Sequence, residues 1–233
     1  MTFSIAGRCS RTGMLGMAIT SSSICVASRC CWARPGVGAV LTQNLTDPAI
    51  GQRGLDLLSE GLSAARTVRR VVEENQFPAY RQIAAIDSKG EASFHTGERA
   101  LPICASAVED NCVAIGNLLA RPEVPREMVT AFEKSPGDPL PVRLLSALEK
   151  GLEAGGEVSP VRSAGLLVVD RQTWPLVDLR VDWHDTPLWV LGHLWEIYQP
   201  QMNQFLLWAL SPDKASPVSS ATPCLGRPSQ AKE

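Results

Sequence analysis

The chain has 233 residues, 45% of them apolar, and its 22 lysines and arginines nearly balance 24 aspartates and glutamates, for a formal net charge of −2. That length and apolar content suit one folded domain with a real core and exclude a wholly disordered chain. The charge balance gives no footprint for nucleic acid or an anionic membrane as partner, and no apolar run approaches the ~18–20 residues of a spanning helix.

Taken in chain order, Thr2 to Arg8 and Met14 to Thr20 read as two short strands joined by a turn at Arg11-Thr12-Gly13. Arg8 and Arg11 precede an apolar stretch, Met14 to Ile19, that is shorter than the ~7–15 residues of a secretory signal. A cytoplasmic location is therefore expected. Val37 to Thr42 is a continuous apolar run that suits a strand buried on both faces. A helix follows, capped by Asp47 with Pro48 at its first position and ended by Gly61; Ser63 caps the next, which runs to about Asn75.

Arg81 to Asp87 and Glu91 to His95 flank Ser88-Lys89-Gly90 as a hairpin. Cys112 to Leu119 reads as a strand, Val124 to Lys134 and Pro139 to Ala154 as helices, and Ser163 to Asp170 with Val177 to Asp182 as a last strand pair. Thr186-Pro187 opens a helix running to about Gln199. Hairpins exclude a purely parallel sheet, and the segregated strands and helices argue for an α+β fold with helices outside antiparallel sheets. Phe205 to Leu210 form an apolar cluster suited to docking on the body or to a subunit interface, and from Asp213 to Glu233 the composition is that of a disordered tail. One domain over residues 1–212 is expected.

Seven cysteines stand out: Cys9, Cys25, Cys30, Cys31, Cys104, Cys112 and Cys224. Their number is odd and no pair has CxxC spacing, so they read as reduced thiols rather than as a zinc or redox motif. The elbow of serine hydrolases, the helical zinc motif, the phosphate loop and the calcium loop are all missing. Gly36-Val37-Gly38 starts like a dinucleotide fingerprint, but Leu41 stands where the third glycine belongs.

Thr2 carries the first chemical candidate. Removal of Met1 would leave threonine at the terminus, where its α-amine, with an unperturbed pKa of ~7.7–8.0, can take the proton of its own hydroxyl. One residue then supplies nucleophile and base. Gln43 and Asn117 end buried strands, where a side-chain amide can orient a substrate or stabilise an oxyanion. His95 ends a hairpin strand and is a candidate acid or base. Trp32-Ala33-Arg34 either lines a pocket or shields a core edge. Asp178, Arg180, Asp182 and His184 alternate on one strand face, which suits either a metal or acid–base cluster or a solvated face with ion pairs. His193 reads as a packed helix histidine.

Several of these segments together resemble a bacterial family, domain of unknown function 1028. They are Thr2-Phe3-Ser4-Ile5, Trp32-Ala33-Arg34, Gly36-Val37-Gly38-Ala39-Val40 with Thr42-Gln43, and Gly54-Leu55-Asp56-Leu57-Leu58 with Gly61-Leu62. His95-Thr96-Gly97, Gly116-Asn117, Arg121-Pro122-Glu123-Val124 and Val177 to Asp182 complete the ordered set. The likeness covers about residues 1–198, leaving 199–212 as an apolar extension. It implies a four-layer αββα sandwich of antiparallel sheets, N-terminal-nucleophile (Ntn) hydrolase-like, with Thr2 as the residue that attacks an amide. Ser22 stands where the family pattern has a lysine, which shifts that lysine's role in tuning the terminal amine to Arg34 or Arg29.

The resulting expectation is a hydrolase acting on an amide bond of a small molecule, with Thr2 catalytic and Gln43, His95, Asn117 and Arg34 binding substrate. No cofactor or metal is implied, and a homodimer is expected. The alternative is a non-catalytic binding or assembly protein on the same scaffold.

Overall fold

The computed structural model describes residues 2–215; Met1 and residues 216–233, including Cys224, lie outside the described residues, as does most of the tail expected from Asp213. One compact unit runs to Glu196 and a second begins at Ile197.

Ten strands form two antiparallel sheets. The first is built from β1 (Thr2–Arg8), β2 (Leu15–Ser21), β7 (Ala105–Glu109), β8 (Cys112–Asn117), β9 (Ser163–Val169) and β10 (Val177–Val181). Its order is β10-β9-β2-β1-β8-β7, which puts β1 near the centre. The second is β3-β4-β5-β6, from β3 (Cys31–Arg34), β4 (Gly38–Asn44), β5 (Arg81–Asp87) and β6 (Ala92–Thr96).

Helices α2 (Ala49–Ser59) and α3 (Ala64–Glu74) cover the outside of the smaller sheet; α4 (Val124–Lys134) and α5 (Leu140–Glu153) cover the larger one. The layer order is the αββα sandwich that the family likeness implies. Burial explains it: β1, β2, β4, β5 and β8 are apolar on both faces, so each sheet needs a partner on each side. Ala6, Leu15, Met17, Leu41, Ala84, Ile86, Val113 and Ile115 fill the space between the sheets. Val40, Ile50, Leu55, Leu58, Val68 and Ile83 fill the space under α2 and α3.

The expected helix signal holds at α3, while at α2 the N-cap is Pro48, one residue past the expected Asp47. Asp47 Oδ1 accepts the Ala49 amide at 3.1 Å at the start of α2, and the Ser63 side chain caps α3 through the Arg66 amide. Three elements carry too little pattern to be expected: α1 (Val26–Cys30), whose preceding Cys25 is left-handed with φ 54°, and the edge strands β3 and β7. The last two helices are α6 (Pro187–Tyr198) and α7 (Met202–Leu210). The cluster expected at Phe205–Leu210 forms α7, which buries none of its residues. Within it Phe205 packs on Trp208, with ring centroids 5.3 Å apart.

Among the described residues no helix is long and apolar enough to cross a membrane.

Candidate functional site

Side chains alternate along a strand, so one set from each central strand points between the sheets. At one end of that layer the inward residues are apolar. At the other end they turn polar, on five strands at once: Thr2 and Ser4 precede Ala6 on β1, Ser21 follows Met17 on β2, Gln43 follows Leu41 on β4, Gln82 precedes Ala84 on β5, and Asn117 follows Ile115 on β8. All six polar residues are buried.

Buried amides cost free energy unless they are bonded, and among these only Asn117 Oδ1 lacks a partner. Gln82 is the hub. Its Oε1 accepts from Gln43 Nε2 at 2.7 Å and from Asn117 Nδ2 at 3.0 Å, and its Nε2 donates to the Gly116 carbonyl at 2.9 Å and to Thr96 Oγ1 at 3.1 Å. Gln43 Oε1 accepts the Ser4 hydroxyl at 2.7 Å, and Gln43 Nε2 also reaches the Thr2 carbonyl at 3.4 Å. Thr2 thus rests on a bonded floor that fixes the end of β1.

Above that floor the Thr2 hydroxyl donates to Ser21 Oγ at 3.3 Å, and Ser21 Oγ accepts the Ser23 amide at 3.0 Å. Both hydroxyls line a cleft of about 330 Å³, with Ser23, Val26, Arg29, Cys30, Asn44, Leu45, Thr46, Pro48 and Arg81. That volume is at the small end of ligand pockets. One wall is α1. The other is the 44–48 loop, which leaves β4 through a left-handed Asn44, φ 72°. Asn44 Nδ2 donates to the Tyr80 carbonyl at 2.6 Å, and Arg81 donates to the Leu45 carbonyl, so this wall is tied down.

Besides Arg29, three ionisable groups flank the cleft. Arg81 has donors on the Asn75 side chain at 3.3 Å and on Asp47 at 3.9 Å. Burial pushes the Cys30 thiol above its usual value, against the Thr46 hydroxyl 3.5 Å away and the Arg29 charge, so it is a neutral wall near pH 7. Burial also raises Glu157, although the Ser22 amide, 3.1 Å from Oε1, favours its charged form.

The structure brings together only some of the expected residues. Thr2 lines the cleft; Gln43 and Asn117 lie in the floor beneath it and are fully buried. His95 pairs with Ile83, an outward position of β5, and its Nε2 meets the Pro78 carbonyl at 3.2 Å. Arg34 points outward as well, to Asp56 Oδ1 and Ser59 Oγ at 2.8 Å each. Neither His95 nor Arg34 lines the cleft, because period two puts both on the helix-facing side. Of the two arginines proposed to replace the family lysine, Arg29 is at the cleft.

Trp32 shields a core edge, its ring filling the space beside Gly51 of α2. Asp178 and Arg180 form an exposed ion pair at 2.7 Å, His184 accepts the Thr186 amide, and no group of carboxylates, histidines and cysteines among the described residues could hold a metal. His193, expected to be packed, is exposed and stacks on Trp189 at 5.7 Å, because α6 is apolar on both faces and turns this one outward. The sequence points to Arg29 only as a stand-in for the lysine, and not to Gln82, Ser21 or Glu157. Gln82 and Ser21 had a signal, a polar residue at an inward position of an apolar strand. Glu157 had none.

The sequence pattern of a family of unknown function, DUF1028, matches residues 2–191. The chain belongs to that family. A crystal structure of a DUF1028 protein from Silicibacter pomeroyi is 31% identical, covers 85% of this chain and 86% of its own, and superposes with a TM-score of 0.80. Two more distant structures are eukaryotic HslV from Trypanosoma brucei, with 11% identity over 73% of this chain and 100% of its own and a TM-score of 0.42, and Anbu (ancestral beta-subunit) from Yersinia bercovieri, with 14% identity over 88% and 96% and a TM-score of 0.40. No curated protein matches the DUF1028 chain.

Proposed function

We propose that this DUF1028 protein is a hydrolase that cleaves an amide bond of a small molecule, with Thr2 as nucleophile once Met1 is removed. The observation that carries the reading is the Thr2 hydroxyl, which lines a small cleft at the end of a central strand, over a floor of bonded amides.

The chemistry needs one residue and water. A free terminal amine is substantially neutral near pH 7.5. The Thr2 oxygen attacks the amide carbon while its hydroxyl proton passes to that amine. The ammonium returns the proton to the leaving nitrogen as the C–N bond breaks, leaving an ester on Thr2. Water then adds to the ester carbon and gives one proton to the amine. The bond to Thr2 breaks, the proton returns to its oxygen, and a carboxylic acid leaves. No step uses a metal or cofactor.

Supporting details concern setting as well as chemistry. Six cysteines among the described residues are free thiols, which fits a cytoplasmic protein. Trp189, 70% exposed on the apolar helix α6, fits a homodimer.

A second reading, a binding protein on the same scaffold, is favoured by Ser22, which stands where the family resemblance implies a lysine. A library of small amides separates the two. Turnover by the mature chain and none by Thr2→Ala is the hydrolase outcome; equal turnover, or none by either, is the binding-protein outcome.

A further inference from the structure

Arg29 sits in the last turn of α1 and lines the cleft opposite the tied-down loop. Among the described residues its guanidinium has no hydrogen-bond or ion-pair partner; only its backbone carbonyl is engaged, by Trp32 Nε1 at 3.3 Å. An arginine always carries its charge, and its planar fork of donors matches a carboxylate. The surroundings leave that charge uncompensated. No lining residue of the cleft is acidic. Arg81, the other cation of the lining, spends its donors on Leu45, Asn75 and Asp47. Glu157 lies towards Ser22 and is engaged there. Val26, Leu45 and Pro48 add an apolar flank beside Arg29.

Resting on the hydrolase reading of the same cleft, we propose that Arg29 is the carboxylate anchor of the substrate, which is an N-acyl amino acid or very short peptide with an apolar side chain and a free carboxylate next to the amide. The amide lies at Thr2, the carboxylate on the Arg29 fork, and the side chain against Val26, Leu45 and Pro48. The products are a carboxylic acid and the free amino acid, with the proton balance given above. The cleft volume of about 330 Å³ restricts the class to molecules of this size.

The test is binding, independent of turnover. N-acetyl-L-leucine and N-acetyl-L-leucinamide are titrated calorimetrically into the full chain, into Arg29→Gln and into Arg29→Lys. Circular dichroism checks that both variants are folded. The acid is expected to bind at least about tenfold more tightly than the amide. Arg29→Gln abolishes the preference without weakening the amide, and Arg29→Lys keeps part of it. Equal affinity for the two probes, binding of neither, or a preference that survives in Arg29→Gln overturns the proposal. Hydrolysis of N-acetyl-L-leucine is followed separately by mass spectrometry. A carboxylate preference without hydrolysis keeps the anchor and overturns the role of Thr2; hydrolysis with no preference does the reverse.

Discussion

Thr2 and Ser21 meet at the ends of adjacent antiparallel strands, the Thr2 hydroxyl donating to Ser21 Oγ across 3.3 Å. The register of β1 against β2 puts Ser21 just past the Phe3–Thr20 pair, so the first residues of one strand and the last of the other share the cleft. The contact holds the Thr2 oxygen facing the cleft rather than the apolar layer below.

Replacing Thr2 tests this directly. Thr2→Ala is expected to lose turnover by about 10³-fold or more, and Thr2→Ser to retain much of it, since serine supplies the same two groups. Arg34→Ala and His95→Ala, on the outer face, leave turnover within about twofold. The measurement is initial rate on the best amide of a library, with folding checked by circular dichroism.

The amide floor is expected to matter for stability. Gln82 makes four hydrogen bonds with Gln43, Asn117, Thr96 and Gly116, and Gln82→Leu leaves those buried groups without it. Unsatisfied buried donors cost ~1–3 kcal/mol each where they cannot re-pair. A loss of about 2–4 kcal/mol in urea unfolding is the predicted result. A loss below about 0.5 kcal/mol would mean that the network is slack.

Gly97 gives a packing test. A Cβ there would lie 2.3 Å from the Ala79 carbonyl oxygen and 2.4 Å from the Pro78 oxygen, both backbone atoms that cannot swing aside. Gly97→Ala is therefore expected to destabilise by ~1–3 kcal/mol. The same 78–79 segment receives His95, which gives the His95-Thr96-Gly97 motif a structural reading.

Glu74 supplies a pH dependence. The Arg53 guanidinium, with help from Arg70, holds its carboxyl down at about 2. The Arg53 pair links α2 to α3 and the Arg70 pair lies within α3, each at 2.8 Å. A depressed carboxyl contributes stability above its unfolded value of 4.5 and loses it as pH falls through about 2. Both partners are exposed, so the effect is small. Thermal unfolding of Glu74→Gln should fall slightly below the native chain at pH 7 and coincide with it by pH 2.

The sequence carried most of the architecture and part of the site. Long apolar runs such as Val37–Thr42 and capped amphipathic helices such as 63–75 write their structure locally, and their order suits two sheets between helices. Gln43 and Asn117 are legible because polar residues at the ends of buried strands are unusual, and Thr2 because it directly follows Met1. His95 and Arg34 were misplaced because facing depends on register, which the local pattern of a short strand does not specify. Arg29 was named only as a stand-in for a missing lysine, since its five-residue helix has no periodicity. Glu157 reaches Ser22 from 135 positions away, a contact that only the tertiary fold creates.

Intact mass of the protein purified from its native host decides whether Thr2 carries a free amine. The expected chain has lost Met1 and begins at Thr2. A mass that retains Met1 throughout would contradict the hydrolase reading, because Thr2 would then have no amine to act as base.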